Sequence, residues 1–452
     1  MTRTRTRTGS STRSARRPTA RRSARTALAV AIAVAATVLT GCAPQGATVL
    51  DTAAPVRLTM WSGQSDEAAK LLQGLVDEYE DAHPNVTIDM SSGASSTDEL
   101  LQKLAASFAG NDSPDISYTF GSWASQLERS GRTLDLRAEA EDPDTHWDEF
   151  SPAARGTAQP TGRKVIGFPA VVDNISLFYN KTVFDAAGEP YPTADWDWSD
   201  FRRAAKALTD RDSQTFGYGY SVSGSEETTW QMWPHLWQNG GSILSEDGEH
   251  AAFDSEAGVD ALSFMRSMAV TDRSVYLDQT DTKFAQLFES DRVGMITSGP
   301  WELSALKTAG TSYGVVRLPG TDGDHQTVSG PDLWTLFDNH DVNRAYWAKD
   351  FTKWLTAPAQ DERFNVAVGN LPLRSSEADS PAFRKQVAAL PGLDVIQANS
   401  ANAKQVRPTL PGYNGLSEAF GDAVSRVLQG EGEPAEALRQ ATVVADKALR
   451  QG

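Results

Sequence analysis

From residue 56 onward, short apolar runs alternate with amphipathic segments. The run "VRLTMW" precedes "DEAAKLLQGLVDEYEDAH", in which one helical face carries Leu71, Leu72, Leu75, Val76 and Tyr79. The same order of strand, helix and strand is repeated by "VTIDM", "ELLQKLAASFAG" and "DISYTF". Strands that alternate with helices of this length favour parallel pairing, so the pattern predicts an α/β fold with largely parallel sheets covered on both faces.

Two longer extended segments interrupt this alternation. The first is "KVIGFPAVVDNISLFYNKTVF", which contains Gly167 and Pro169, and the second is "TVSGPDLWTL". A second helix-rich region lies between them and includes "WSDFRRAAKALT" and the aromatic segment "TWQMWPHLWQNGG". A chain of 452 residues exceeds what one hydrophobic core usually organises, so we expect two lobes, with crossings at the extended segments.

The N-terminal part has a composition unlike that of the rest. Residues 1–25 contain nine arginines and no acidic residue, and the run from Ala27 to Leu39 is apolar except for Thr37. This run is too short to span a membrane as a permanent helix, so it predicts a secretion signal. The following "LTGC", which ends at Cys42, resembles the bacterial lipobox, where a peptidase cleaves before the cysteine and its sulfur carries a diacylglycerol.

We therefore expect a lipoprotein signal peptide over residues 1–41, then a lipidated Cys42 and a flexible tether over residues 42–55. This would hold the protein on the extracytoplasmic face of the cell membrane. An incidental or a catalytic cysteine is the alternative, although the neighbouring "APQGATVLDTAA" offers no partner base. Arginine pairs at 16–17 and 21–22 leave both Sec and twin-arginine export open.

The charge balance excludes several classes of function. The chain has 42 basic and 59 acidic residues, and nine of the basic ones lie in the signal, so the remainder carries about 26 net negative charges. Such a surface repels polyanions, and we expect no nucleic-acid partner. The six histidines show no zinc-ligand spacing and Cys42 is the only cysteine, so we expect no metal and no cofactor.

The order of motifs resembles that of the extracytoplasmic solute-binding proteins of ABC importers, in the carbohydrate-binding class that includes maltose-binding protein. The resemblance covers residues 56–447, and its carriers are "FPAVVDNISLFYNKTVFDAAG", "WDWSDFRRAAKALT", "WPHLWQNGGSILSEDG", "FESDRVGMITSGPW", "YGVVRLPG" and "FTKWLTAPAQDERFNVAVGNLPLRSS". It implies a protein that captures a carbohydrate, such as an oligosaccharide or a glycoside, and delivers it to the permease subunits of an ABC transporter. We expect the protein to be a monomer.

The resemblance also implies a periplasmic-binding-protein-like fold, in which two α/β lobes enclose a ligand cleft and are joined by a three-segment hinge. Carried onto this chain, it gives residues 56–169 plus 331–374 for the N-terminal lobe and residues 174–327 plus 378–452 for the C-terminal lobe. The three crossings would then lie near residues 170–173, 328–331 and 374–377.

Twelve tryptophans supply flat apolar surfaces of the kind on which sugar rings stack, although at least half of them should be core residues. The resemblance implies that Trp301, in "SGPW", is a stacking platform that the preceding Gly-Pro turn aims into the cleft. It implies a similar role for Trp230, at the start of the aromatic helix. Trp233 and Trp237 could extend this stripe, but their helical spacing is more typical of core residues.

Trp123 lies in a loop that contacts sugar from the first lobe in the resembled family. Here Ser122 and Trp123 stand where maltose-binding protein has an acid and an arginine, which argues against maltose as the ligand. The resemblance implies that Asp173 and Asn174, at the first crossing, contact the sugar through their planar polar side chains. The alternative role for them is a hydrogen bond within the hinge.

Three further residues complete the predicted ring around the ligand. Gln64 follows the first strand, and Tyr413 lies in "LPGYNG". Gly330, at the second crossing, would allow the backbone to approach the ligand closely. Asp332 and Arg374 should lie nearby, where we expect structural pairing rather than ligand contact.

Two alternative functions can be weighed against the residues. A secreted glycosidase needs two facing carboxyl groups, one of them with a raised pKa, whereas "DWDWSD" and "EDPD" are typical of helix caps and exposed loops. We therefore expect no enzymatic activity. The same fold could bind a non-sugar solute such as a polyol phosphate, but this needs a basic residue in the cleft, and none of the predicted site residues is basic.

Overall fold

The computed structural model describes residues 46–64, 66–94 and 97–452. The predicted signal peptide over residues 1–41 and the predicted lipidation site Cys42 lie outside these described residues. Among the helices of the described part, none is long and apolar enough to cross a membrane. Its strands form two five-stranded sheets and a short two-stranded pair, and helices pack against both larger sheets.

The strands and helices are numbered here in chain order. The strands are β1 (Val56–Trp61), β2 (Val86–Ser91), β3 (Ile116–Thr119), β4 (Gly167–Val171), β5 (Ser176–Asn180), β6 (Phe216–Ser221), β7 (Val275–Asp278), β8 (Val293–Ser298), β9 (Tyr313–Val316), β10 (Val328–Ser329), β11 (Asp332–Leu336) and β12 (Gln405–Val406). The α-helices are α1 (Asp66–Ala82), α2 (Thr97–Gly110), α3 (Ala124–Arg129), α4 (Arg137–Glu141), α5 (Pro152–Ala158), α6 (Lys181–Ala187), α7 (Trp198–Leu208), α8 (Glu226–Gln238), α9 (Glu256–Arg266), α10 (Lys283–Glu289), α11 (Glu302–Ala309), α12 (Val342–Leu355), α13 (Pro358–Asp361), α14 (Pro381–Ala389), α15 (Leu393–Asn399), α16 (Tyr413–Leu428) and α17 (Pro434–Gln451).

The first sheet has the strand order β2-β1-β3-β11-β4. Strand β1 pairs in parallel with β2 and β3, whereas β11 runs antiparallel to β3 and β4. Helix α1 contributes its apolar face to the core of this sheet: Leu72, Leu75, Val76 and Tyr79 are buried there and Leu71 is partly buried. The spacing of apolar residues in the sequence therefore predicts the buried face of this helix correctly.

The second sheet has the order β7-β6-β8-β5-β9. Strand β6 is parallel to β7 and β8, and β5 is antiparallel to β8 and β9. The aromatic helix α8 shares a core with α16, in which Trp233 stacks on Phe420 with ring centroids 4.3 Å apart. Trp233 and Trp237 are both buried in this core, as their helical spacing favours.

Each of the two described five-stranded sheets contains one strand that runs antiparallel to the remaining four. It is the strand with which the chain enters that sheet after leaving the opposite sheet. Strand β5 follows β4 of the first sheet, and β11 follows β9 of the second sheet after the short strand β10. The other four strands of each sheet share one direction. The prediction of an α/β fold with largely parallel sheets is therefore confirmed.

Buried polar side chains fix the backbone where the chain passes between the sheets. The Asn174 amide nitrogen donates to the Ile396 carbonyl oxygen and to Ser400 Oγ, each at 3.0 Å. The Asn365 amide nitrogen donates to the Ala170 carbonyl oxygen at 2.9 Å, which ties the segment after α13 to the first passage. The residue bounds proposed for the two lobes stay a prediction.

Candidate ligand-binding site

A cavity of about 260 Å³ lies between the two sheets. It is lined by Gly63, Gln64, Tyr118, Phe120, Val171, Asp173, Glu226, Glu227, Trp230, Trp301, Asp332, Asn370 and Arg407. Several of these residues follow the carboxyl ends of parallel strands, after β1, β3, β6 and β8. Open α/β sheets place their ligands at this edge, so the topology explains why the lining residues meet although they are far apart in sequence.

Trp301 presents the most open aromatic surface of the cavity. It precedes helix α11 and its side chain is 38% exposed, whereas the other lining tryptophan, Trp230, is 6% exposed. A Cβ atom at Gly299 would lie 2.1 Å from the Trp301 ring. Only glycine at position 299 therefore leaves room for the indole to fold back over the turn, which holds the ring at the cavity wall.

Trp230, on helix α8, packs against the guanidinium group of Arg407. The Arg407 Cζ atom lies 4.1 Å from the Trp230 ring centroid, a cation–π geometry. Gly330 lies against the same pair, because a Cβ atom there would come within 2.6 Å of Arg407 and 2.7 Å of Trp230. The absence of a side chain at Gly330 thus makes room for both groups beside the cavity.

Asp173 is the lining carboxyl group whose hydrogen bonding is incomplete. Its side chain is buried, and the Oδ1 atom has no hydrogen-bond partner. Burial raises the pKa of Asp173 well above its ordinary value, and the neighbouring Asp332 carboxylate raises it further. A buried, unpaired carboxyl oxygen is costly, and a ligand hydroxyl that donates to it would remove this cost.

Asp332, by contrast, is held from three sides. The Tyr118 hydroxyl donates to Oδ2, the Gly121 N–H donates to Oδ1 at 3.0 Å, and Arg407 lies 3.8 Å from Oδ1. Burial nevertheless raises the pKa of Asp332 to about 6. These contacts leave Asp332 a fixed acidic group in the wall, consistent with the structural pairing predicted for it.

Two adjacent acids at the start of α8 complete the polar wall. Glu226 forms an ion pair with Arg407 and accepts a hydrogen bond from Ser417 Oγ at 2.7 Å. Glu227 accepts a hydrogen bond from the Gln231 amide nitrogen at 2.7 Å, and burial raises the pKa of Glu227 to about 8. The part of the chain that the structure describes contains no group of three or more His, Cys, Asp or Glu residues placed to hold a metal ion.

Four of the residues predicted from the sequence line this cavity, namely Gln64, Asp173, Trp230 and Trp301. Gly330 lies against two of the lining side chains, those of Trp230 and Arg407. Trp123 lines a neighbouring cavity of about 230 Å³, which shares Glu226 with the first one.

Asn174 and Tyr413 line neither cavity. The Asn174 side chain donates to the Ile396 carbonyl oxygen and to Ser400 Oγ, in and just after helix α15. Tyr413 is buried, and its hydroxyl accepts a hydrogen bond from Trp233 Nε1 at 3.1 Å. Arg374 also lies elsewhere, where it donates to the Thr145 carbonyl oxygen at 3.2 Å.

Sequence reasoning missed several lining residues, above all Arg407, Glu226 and Glu227. None of the residues predicted for the site is basic, whereas Arg407 lines the cavity. The only local signal for Arg407 was a basic residue inside the turn-rich segment "QVRPTLPGYNG", and its partners lie about 75 and 180 residues earlier in the chain.

Comparison with known proteins identifies the relatives of this chain. Residues 74–392 match the model of a bacterial extracellular solute-binding protein family. A binding protein of Brucella abortus is 25% identical over 418 residues, which cover 88% of this chain and 94% of the relative.

Two solved structures show the same fold. The cyclic alpha-maltosyl-1,6-maltose binding protein of Arthrobacter globiformis is 25% identical, with a TM-score of 0.71 over 88% of this chain and 100% of the other. An ABC substrate-binding protein of Listeria monocytogenes in complex with cycloalternan is 22% identical, with a TM-score of 0.77 over 87% of this chain and 99% of the other. These matches confirm the periplasmic-binding-protein-like fold class predicted from the sequence.

Proposed function

Since the chain belongs to the family of bacterial extracellular solute-binding proteins, we propose that it captures a carbohydrate, an oligosaccharide or a glycoside, for an ABC importer. The observation that carries this proposal is the cavity between the sheets, which is lined by an exposed indole and by an unpaired carboxyl oxygen. A sugar offers both the apolar C–H face and the hydroxyl donors that these two groups lack.

Individual residues have distinct roles in this proposal. The open ring of Trp301 stacks on a sugar ring, and Trp230 forms a second aromatic wall. Asp173 accepts a hydrogen bond from a sugar hydroxyl through Oδ1, and Gln64 contributes an amide that both donates and accepts. The Arthrobacter globiformis protein binds a maltosyl-maltose, which supports an oligosaccharide as the ligand here.

Calorimetric titration of the purified protein with mono- and oligosaccharides tests the proposal, with glycerol 3-phosphate and simple cations as comparison ligands. We expect a carbohydrate to bind with micromolar or tighter affinity, about 8 kcal/mol or more. Binding of a phosphate ester or a cation, with no carbohydrate bound, would refute the assignment of the cargo.

We also propose that binding occurs without turnover, although one observation favours a glycosidase as a second candidate. The cavity is lined by three carboxyl groups with raised pKa values, those of Asp173, Glu227 and Asp332, and glycoside hydrolysis requires one such group as the acid beside a second carboxyl group. The acidic motifs considered in the sequence are instead helix caps, since Asp197 caps α7 and Asp142 caps a short 3₁₀ helix. Prolonged incubation with a bound oligosaccharide followed by chromatography distinguishes binding without turnover from glycosidase activity, because shorter products would indicate hydrolysis.

The anchoring of the protein is a further part of the proposal. We propose that residues 1–41 are removed, that Cys42 carries the lipid, and that residues 42–55 tether a monomeric binding protein beside its permease. Mass spectrometry of the protein from membranes would show a diacylglycerol mass on an N-terminal Cys42 peptide. An unmodified Cys42 within a longer N-terminal peptide would contradict this.

A further inference from the structure

Arg407 lines the cavity, yet its charge and its planar face are already engaged. Its side chain is only 6% exposed and pairs with Glu226, whose side chain is 10% exposed. A second terminal nitrogen of Arg407 lies 3.8 Å from Asp332 Oδ1, and the Cζ atom lies over the rings of Trp230 and Phe120, 4.1 and 5.9 Å from their centroids. The group therefore faces two carboxylates and two aromatic rings.

Glu226 is itself held in place rather than resting loosely against Arg407. Ser417 Oγ, on α16, donates to its second carboxylate oxygen at 2.7 Å. Glu226 is also the first residue of α8, where the positive end of the helix dipole stabilises a negative side chain. These contacts hold the carboxylate beside Arg407.

An arginine without such partners would change the ligand that the site prefers. A guanidinium in a water-poor cavity is a strong, bidentate binding group for phosphate and carboxylate. Here the cavity wall holds the carboxyl groups of Asp173, Glu226, Glu227 and Asp332 against the single cation of Arg407. An anionic ligand would have to displace Glu226 from Arg407 and approach the remaining carboxyl groups.

We propose that Glu226 masks Arg407 and thereby makes the site selective for neutral carbohydrates over phosphorylated ones. The part of this inference that concerns neutral carbohydrates rests on the proposed function. The masking itself concerns only Glu226 and Arg407, so it can be tested separately with an anionic probe.

The test is the variant Glu226→Gln, which keeps the shape of the side chain and its contact with Ser417 but removes the charge. Calorimetry with glycerol 3-phosphate should show at least tenfold tighter binding to the variant than to the unmodified protein. This gain should shrink as salt is raised, because it comes from a charge interaction. Circular dichroism and thermal melting verify that the variant is folded.

Glu227→Gln is the matched control when both titrations are run at about pH 9, above the Glu227 pKa of about 8, because it then makes the same charge change at the next residue of the same cavity. Glu227 bonds to Gln231 and not to Arg407, so this variant should not show the tenfold gain. An equal gain in both variants would overturn the masking, because net charge alone would then explain it. No gain in folded Glu226→Gln, or tight phosphate binding by the unmodified protein, would also overturn it.

If Glu226→Gln does not fold, Ser417→Ala provides a second route, because it removes the hydroxyl that holds Glu226. It should give a smaller gain for glycerol 3-phosphate in the same direction, and the absence of any gain would count against masking. Titration of the unmodified protein with neutral oligosaccharides keeps the two proposals distinguishable. Failure of that titration would refute the proposed function, whereas failure of the phosphate gain would refute only the masking.

Discussion

Replacement of Trp301 by alanine is the most direct test of the cavity, because this side chain has exposed ring surface that a bound ligand would cover. A tryptophan buries about 150–250 Å² when it is covered, so the 38% of Trp301 that is exposed corresponds to roughly 60–95 Å² available to a ligand. At about 25 cal/mol per Å², covering this surface contributes roughly 1.5–2.4 kcal/mol. The expected loss of carbohydrate affinity in Trp301→Ala is therefore about ten- to fiftyfold.

Calorimetry with the tightest-binding oligosaccharide measures this loss, and thermal melting of the ligand-free variant measures any cost to the fold. Since the ring is already partly in water, we expect the melting temperature to change little. Trp233→Phe is a useful comparison, because Trp233 is buried against Phe420. This substitution should lower the stability of the protein more than its affinity for the oligosaccharide. Unchanged affinity in a folded Trp301→Ala protein would refute the placement of the ligand against this ring.

Three further predictions concern the groups around the cavity. Burial raises the pKa of Glu227 to about 8 in the folded protein, so its stabilising contribution is complete at low pH and is lost as pH rises from about 4.5 to 8. Thermal melts across this range should show the loss, and Glu227→Gln should reduce it, since Asp332 and Glu302, with pKa values of about 6 and 7, still contribute. Gly330→Ala should weaken carbohydrate binding, because its Cβ would collide with Trp230 and Arg407, whereas Gly74→Ala, in open space on α1, should bind normally and melt no lower. Tyr413→Phe should lower the free energy of unfolding by about 1 kcal/mol, because it removes the acceptor of the Trp233 hydrogen bond, and should leave carbohydrate affinity unchanged. A tenfold loss of affinity would instead indicate that Tyr413 contacts the ligand.

The sequence predicts the features that depend on local pattern. The buried face of α1 follows from apolar spacing, and the position of Trp301 follows from the family resemblance, with Gly299 leaving room for its ring. The position of Asp173 on the cavity follows from its place at the first crossing. These features need only neighbouring residues, or a known order of elements, to be specified.

The features that the sequence does not predict depend on side-chain direction and on distant partners. Successive side chains of an extended backbone point to opposite sides, so a crossing that turns Asp173 toward the cavity turns Asn174 toward helix α15. Arg407 becomes a cavity residue only because Glu226 and Asp332, from other parts of the chain, meet it there. No local pattern around position 407 carries that information.

The reversed strands explain why the cavity lies beside the segments by which the chain passes between the sheets. The first residue of β5, Ser176, pairs with Ser298 at the carboxyl end of β8, just before the turn that leads to Trp301. The first residue of β11, Asp332, pairs with Val171 at the end of β4. A strand that enters a parallel sheet antiparallel must begin at the edge where the others end, and this is also the ligand-binding edge. Asp173 and Asp332, which line the cavity, therefore lie where the chain passes between the sheets, and we expect a ligand bound there to act on the backbone of these passages.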